Sequence, residues 1–187
     1  LSNDLRAQPI HQDITDDNVV STADAKGNPI PSGVIDFGDL MRGWLVADLA
    51  VCCASLLHHS AGDAFAILPA VKAFHAVHPL NPAEARALWP LIVERACVLV
   101  AAGQYQLTLE PDNEYARANI ANERSIFDVA TSLPIVVMQA AILDTLGMAD
   151  DRPLPAMQRL LPEIIPSLFE IVDFGPLSPL FQAGNWL

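Results

Sequence analysis

The apolar periodicity of this sequence changes at Gly43, and that change limits the folds open to it. Before it, residues 9–37 carry short apolar groups, Asn18-Val19-Val20 and Gly33-Val34-Ile35, around the turn-forming run Asp24-Ala25-Lys26-Gly27-Asn28-Pro29. That is a β-hairpin pattern. After it come long stretches with helical spacing, which predict helices at about 45–59, 63–78, 82–109 and 112–131, and another over 133–146 opened by Pro134. Asn81-Pro82-Ala83-Glu84 supplies an N-cap, a proline at the first helical position and a glutamate three residues past the cap. Pro111-Asp112-Asn113-Glu114 is a comparable start signal. Pro90 lies well inside the 82–109 stretch, so it is expected to split a short helix from a long one.

Composition narrows the partners. The chain of 187 residues has 22 acids against 10 bases, a formal charge of −12, and its only lysines are Lys26 and Lys72. Such a surface repels phosphate backbones and anionic lipid, so no nucleic-acid and no membrane partner is expected. The apolar stretches 44–57, 88–109 and 133–148 are each interrupted by charged or amide side chains, and none supplies the ~18 uncharged residues of a membrane span. A mean hydropathy of +0.31 with 17% charged residues is oily for a free-standing domain. Some apolar surface is expected to meet another domain or a second copy, as in a homo-oligomer. Cys52, Cys53 and Cys97 sit in apolar runs and read as reduced core residues of a cytoplasmic protein. Trp44, Trp89 and Tyr105 also read as core. Asp150-Asp151-Arg152-Pro153 and the prolines after it suggest a boundary near 150, with 1–149 a domain and 150–187 a Pro-rich tail or linker. The opening Leu1-Ser2-Asn3-Asp4 has neither Met nor a signal region, and reads as a cut inside a longer protein.

The chemistry-bearing segment is His11-Gln12-Asp13-Ile14-Thr15-Asp16-Asp17-Asn18, followed after the hairpin by Ile35-Asp36-Phe37-Gly38-Asp39. Phosphoryl transfer needs one carboxylate to orient an acceptor hydroxyl and take its proton. It also needs a carboxamide and a second carboxylate to hold Mg²⁺ against the nucleotide phosphates. The spacing follows H-x-D-x-x-x-x-N with a downstream D-F-G. Asp173-Phe174-Gly175 repeats the last element, but no His-x-Asp or Asn precedes it, and it reads as a coincidental turn.

At these residues, and at Ala47-Asp48-Leu49-Ala50, the sequence resembles the aminoglycoside phosphotransferase and choline kinase group. Within the group, residues 33–50 with Leu88-Trp89-Pro90-Leu91-Ile92-Val93 and Pro111-Asp112-Asn113 are most similar to hydroxylysine-kinase-like proteins. They are also similar to the kinase-like domain fused ahead of class III aminotransferases in some bacterial proteins. The resemblance covers about residues 7–133. It implies an α+β, mostly α-helical domain: the C-terminal lobe of a protein-kinase-like fold, whose small β-hairpin carries the catalytic loop and the metal-binding Asp.

The resemblance makes Asp13 the catalytic base, Asn18 a metal ligand and Asp36 the principal Mg²⁺ ligand. His11 is expected to hold the loop by hydrogen bonds, and Asp48 to brace it as a buried acceptor. Thr15-Asp16-Asp17 departs from the family's frequent His-Pro-Gly, which leaves two additional acids beside the metal site, altering metal demand or simply solvated. The glycine-rich loop and strand lysine that grip ATP in such kinases are missing, since only ten residues precede His11 and none is lysine. The nucleotide lobe is therefore expected upstream, with further domains downstream, and the isolated chain is expected to lack kinase activity. The implied acceptor is an amino alcohol, a hydroxylated amino acid or an aminoglycoside-like molecule. Asp39, Glu94, Glu110, Asp112 and Glu114 are candidate contacts for its amine, with a solvated helix face as the plainer reading. Arg95 either meets an acceptor carboxylate or forms an internal ion pair. His58-His59, His75 and His78 lack a third ligand at zinc spacing. The rival reading is a non-catalytic kinase-like docking or regulatory module of a multidomain aminotransferase.

Overall fold

The turn at residues 24–28 forms because one carboxylate gathers its donors. Asp24 accepts the backbone N–H groups of Lys26 at 2.7 Å and Asn28 at 2.8 Å, and the Asn28 side-chain amide at 3.0 Å. Gly27 takes the left-handed φ of 82° that closes the turn. In this computed structural model, which describes residues 4–148, the turn joins β2 (Val19–Ala23) to β3 (Pro29–Val34). The strands run antiparallel from Val19↔Val34 to Ala23↔Pro29, with a register shift at Val20/Ser21. This is the hairpin expected between Asn18 and Asp36. The second Asp-Phe-Gly and the Pro-rich tail lie outside the described residues.

A second ribbon encloses the hairpin. β1 (Ala7–Ile10) pairs antiparallel with β4 (Met41–Trp44), from Ala7↔Trp44 to Ile10↔Met41. The whole segment 11–40 thus leaves and returns through one two-stranded base. Sequence patterning missed this ribbon, because Ala7-Gln8-Pro9-Ile10 does not alternate and contains a proline.

The helices are α1 (Leu45–His58), α2 (Leu68–Val77), α3 (Pro82–Leu109), α4 (Glu114–Ala130) and α5 (Ile135–Thr145). Residues 64–67, expected as the start of α2, form a 3₁₀ turn capped by Asp63 instead. The predicted capping box at α3 is present: Asn81 Oδ1 accepts the Glu84 N–H, and Glu84 Oε2 accepts the Asn81 N–H, both at 2.9 Å. Asn113 caps α4 by accepting the Ala116 N–H. α3 is central and packs against α1, α4 and α5. Leu45, Leu49, Cys53 and Leu57 of α1, Leu88, Trp89 and Ile92 of α3, and Met138, Ile142 and Leu143 of α5 form the core. The described residues are mostly helical with two small sheets, compatible with the mostly α-helical α+β class expected from the sequence. Among them no single helix is long and apolar enough to cross a membrane.

Several expectations are corrected. Pro90 does not split α3, which runs unbroken from Pro82 to Leu109. Proline lacks the N–H that would bond the Arg86 carbonyl, and the Gln139 side-chain amide of α5 donates to that carbonyl at 2.6 Å. Of the three free cysteines only Cys53 is fully buried; Cys52 is half-buried and Cys97 is exposed on α3. Trp89 is core, but Trp44 and Tyr105 are 41% and 66% exposed. Trp44 belongs to a two-stranded ribbon with an open face, and Tyr105 lies on the outer side of α3.

The N-terminal segment is stapled to this bundle by charge. Arg6 Nε donates to Glu84 Oε1 at 2.8 Å and Nη2 to Oε2 at 2.6 Å, a bidentate pair. The Glu84 side chain is fully buried, while Arg6 is 44% exposed. Burial works to raise the Glu84 carboxyl, but the hydrogen bonds from Arg6 and the Asn81 N–H outweigh it and hold the group below its ordinary value.

Candidate active site

Residues 11–18 are held from three sides. From the first turn of α1, Asp48 accepts two consecutive backbone N–H groups, His11 on Oδ2 at 2.9 Å and Gln12 on Oδ1 at 2.7 Å. That clamp fixes Gln12 in the left-handed region, φ 71°, which a non-glycine residue seldom adopts. From the hairpin side, Ile35 donates its N–H to Asn18 O at 3.0 Å, and its carbonyl meets His11 Nε2 at 2.9 Å. From within, His11 Nδ1 faces the Asp13 N–H at 3.3 Å. A carbonyl only accepts, so Nε2 carries the proton, and the unprotonated Nδ1 accepts the Asp13 backbone N–H. The ring, 6% exposed as a residue, also packs 4.8 Å from that of Phe37. Both nitrogens of His11 are consumed by the frame, leaving neither for proton transfer.

This frame presents Asp13. Arg95 Nη2 of α3 donates to its Oδ1 at 2.8 Å, and Asn18 Nδ2 donates to its Oδ2 at 3.0 Å and to its backbone carbonyl at 2.9 Å. Both carboxylate oxygens are therefore fixed in direction, each with a lone pair still available. Of the two roles open to Arg95, the internal ion pair is the one formed. Because Asn18 donates to two acceptors, its amide nitrogen faces Asp13 and its Oδ1 is left to bind something else. Asp36 stands next to the clamped Ile35 with φ 58°, and its Oδ1 accepts the Gly38 N–H at 3.3 Å. An amide oxygen and a carboxylate oxygen are hard donors that suit Mg²⁺.

Asp13 and Arg95 line a cavity of about 300 Å³ between the loop and α1, α3 and α4. Asn18 and Asp36 do not line it. Asp39 is exposed on the 3₁₀ turn 37–39, away from the cavity, and Glu94 borders a smaller space of about 110 Å³ whose wall Arg95 shares. Glu110, Asp112 and Glu114 are exposed at the junction of α3 and α4 and do not line it either. Asp16 does line it, but is tied to α1: Ser55 Oγ donates to it at 2.6 Å and His59 Nε2 lies 2.9 Å away. The hydrogen bond from Ser55, with a smaller one from His59, outweighs burial and holds Asp16 below its ordinary value.

Sequence reading missed the far wall. Asn119 and Glu123 of α4 line the cavity. They occupy positions between Ala116 and Ile126 on the buried stripe of that helix, at intervals of three and four residues. Polar side chains on an inward stripe were the signal available in the sequence. His75 and His78 serve structure: His75 Nδ1 accepts the Leu80 N–H and His78 stacks on Phe74.

Residues 1–88 match the family model described as "Phosphotransferase enzyme family". The chain is 29% identical over 104 residues to a hydroxylysine kinase of Danio rerio, and 31% identical over 108 residues to one of Bos taurus. Each match covers 56% of this chain and 29% of the relative, so the chain spans less than a third of the curated relatives it matches. No solved structure gives a significant match. The matched segment, which holds His11, Asp13, Asn18, Asp36 and the bracing Asp48, is similar to the phosphotransferase enzyme family and supports the resemblance to the aminoglycoside phosphotransferase and choline kinase-like superfamily.

Proposed function

We propose that this chain is the acceptor-binding and catalytic lobe of a longer protein that transfers a phosphoryl group from ATP to the hydroxyl of a small molecule. The observation that carries the reading is Asp13. Its carboxylate is locked by Arg95 and Asn18 at the edge of a cavity large enough for a metabolite. The acceptor hydroxyl sits against a free lone pair of Asp13, which takes its proton as the new O–P bond forms. Asn18 Oδ1 and Asp36 would hold Mg²⁺, which when bound neutralises charge on the phosphoryl oxygens. His11 and Asp48 keep the loop in register with these groups.

The ATP-gripping lobe is proposed to lie upstream. Supporting this, Val34, Ile35, Phe37, Leu40, Met41 and Trp44 are all at least 38% exposed, an apolar surface along β3, the 37–39 turn and β4. The test is a phosphorylation screen of the full-length protein with Mg-ATP and hydroxylated amines, including hydroxylysine. Turnover of one acceptor, falling about a thousandfold in Asp13→Asn with binding of that acceptor retained, supports the reading. No turnover of any acceptor, or equal turnover in the variant, overturns it.

A further inference from the structure

Glu123 is one of the cavity-lining groups that the proposed chemistry leaves unused. Its position depends on an omission in the facing helix: Gly103, buried on α3, leaves a notch, and a β-carbon there would collide with Glu123 Oε2. In that notch Oε2 is shut off from solvent and has no hydrogen-bond partner. The other acids at the cavity are differently placed. Asp13 is satisfied by Arg95 and Asn18, Asp16 by Ser55 and His59, and Asp17 is exposed on its 3₁₀ turn. Desolvation raises the Glu123 carboxyl, as expected of a partly buried acid. Asn119, one turn earlier on the same stripe, extends the polar wall toward the loop.

We infer that Glu123, seated in the notch left by Gly103, is the specificity-determining residue of this site and binds a cationic nitrogen on the acceptor. The inference rests on the phosphotransferase reading for the word acceptor, but the binding it describes needs neither ATP nor the upstream lobe. An arriving ammonium meets the carboxylate from the cavity side, where the residue is only partly buried and solvent screening is reduced. Asn119 then serves polar groups nearer the hydroxyl.

Two ligands of equal length, aminopentanol and pentanediol, isolate the charge while keeping one hydroxyl in common. Titrated into the full chain by NMR, aminopentanol is expected to bind at least about tenfold more tightly than pentanediol. Glu123→Gln should abolish that preference. Gly103→Ala should also abolish it, since it expels the carboxylate from the notch while keeping the charge and adding a better helix former. Equal binding of the two ligands by the parent chain overturns the inference, as does an unchanged preference in folded Glu123→Gln or Gly103→Ala. Failure of phosphorylation with the preference intact and dependent on both residues overturns the transfer reaction and leaves the cation site standing.

Discussion

In the proposed reaction Asp13 would serve as a base only in the orientation that its two donors impose. Arg95 reaches it from a different helix, 82 residues away in sequence. Arg95→Gln in the full-length protein is expected to lower kcat by about a hundredfold with KM for ATP unchanged, because a loosened carboxylate loses near-attack geometry. Lysine should recover only part of this, since it lacks the planar fork. A change confined to KM would reject the positioning role. The Arg6–Glu84 pair gives a pH prediction. Glu84 is depressed below its ordinary 4.5 in the folded chain, so its contribution to stability is present above that pH and is lost as pH falls through the folded value. Arg6→Ala should cost about 1–2 kcal/mol near neutrality, less than a fully buried pair because solvent screens the half-exposed Arg6, and should flatten the acid limb of stability in urea titrations. The loop motif and the bracing role of Asp48 were legible in residues 11–48, because the acceptor and its donors lie within one matched segment. The Arg95 partner was not, since helical spacing gives a side chain's face but not which loop folds over it.

At the level of elements, α3 depends on α5. Gln139, 7% exposed, takes over the carbonyl that Pro90 leaves free. Gln139→Leu is expected to cost about 1–3 kcal/mol, the range for stranding a buried acceptor. Pro90→Ala restores an N–H to the same carbonyl, so the double variant should be less stable than Pro90→Ala by a smaller margin than Gln139→Leu is below the parent. Additive penalties in denaturant melts would remove Gln139 from this role. The starts of α3 and α4 could be read from Asn81, Glu84 and Asn113, because capping acts within four residues. The continuity of α3 could not, because proline's local effect was offset by a donor 53 residues downstream. The β1–β4 ribbon was hidden for a similar reason: its two short strands have meaning only once paired across the hairpin.

For the molecule as a whole, the apolar residues 34–44 and the polar interior wall of α4 face different tasks. In the proposed function the first receives a covering lobe and the second a ligand. The isolated 187-residue chain is accordingly expected to bind amino alcohols yet produce no ATP-dependent phosphorylated product, whereas the full-length protein does both. Detection of product with the chain alone in a steady-state assay would contradict the division of labour. The acidic surface anticipated from composition says little about where a cation is held: most of the acids face solvent, and Glu123 differs from them through the missing β-carbon of Gly103.

A second glycine sets a quieter limit. Gly43 of β4 faces Ile10 so closely that a β-carbon there would overlap the end of its side chain, and Ile10, 2% exposed, would have to shift within a buried setting. Since His11 is the residue after Ile10, an alanine at position 43 presses on the point from which the loop departs. Gly43→Ala is therefore expected to disturb the loop from a strand that contributes no reactive atom, a lesion that inspection of the reacting groups alone would not explain.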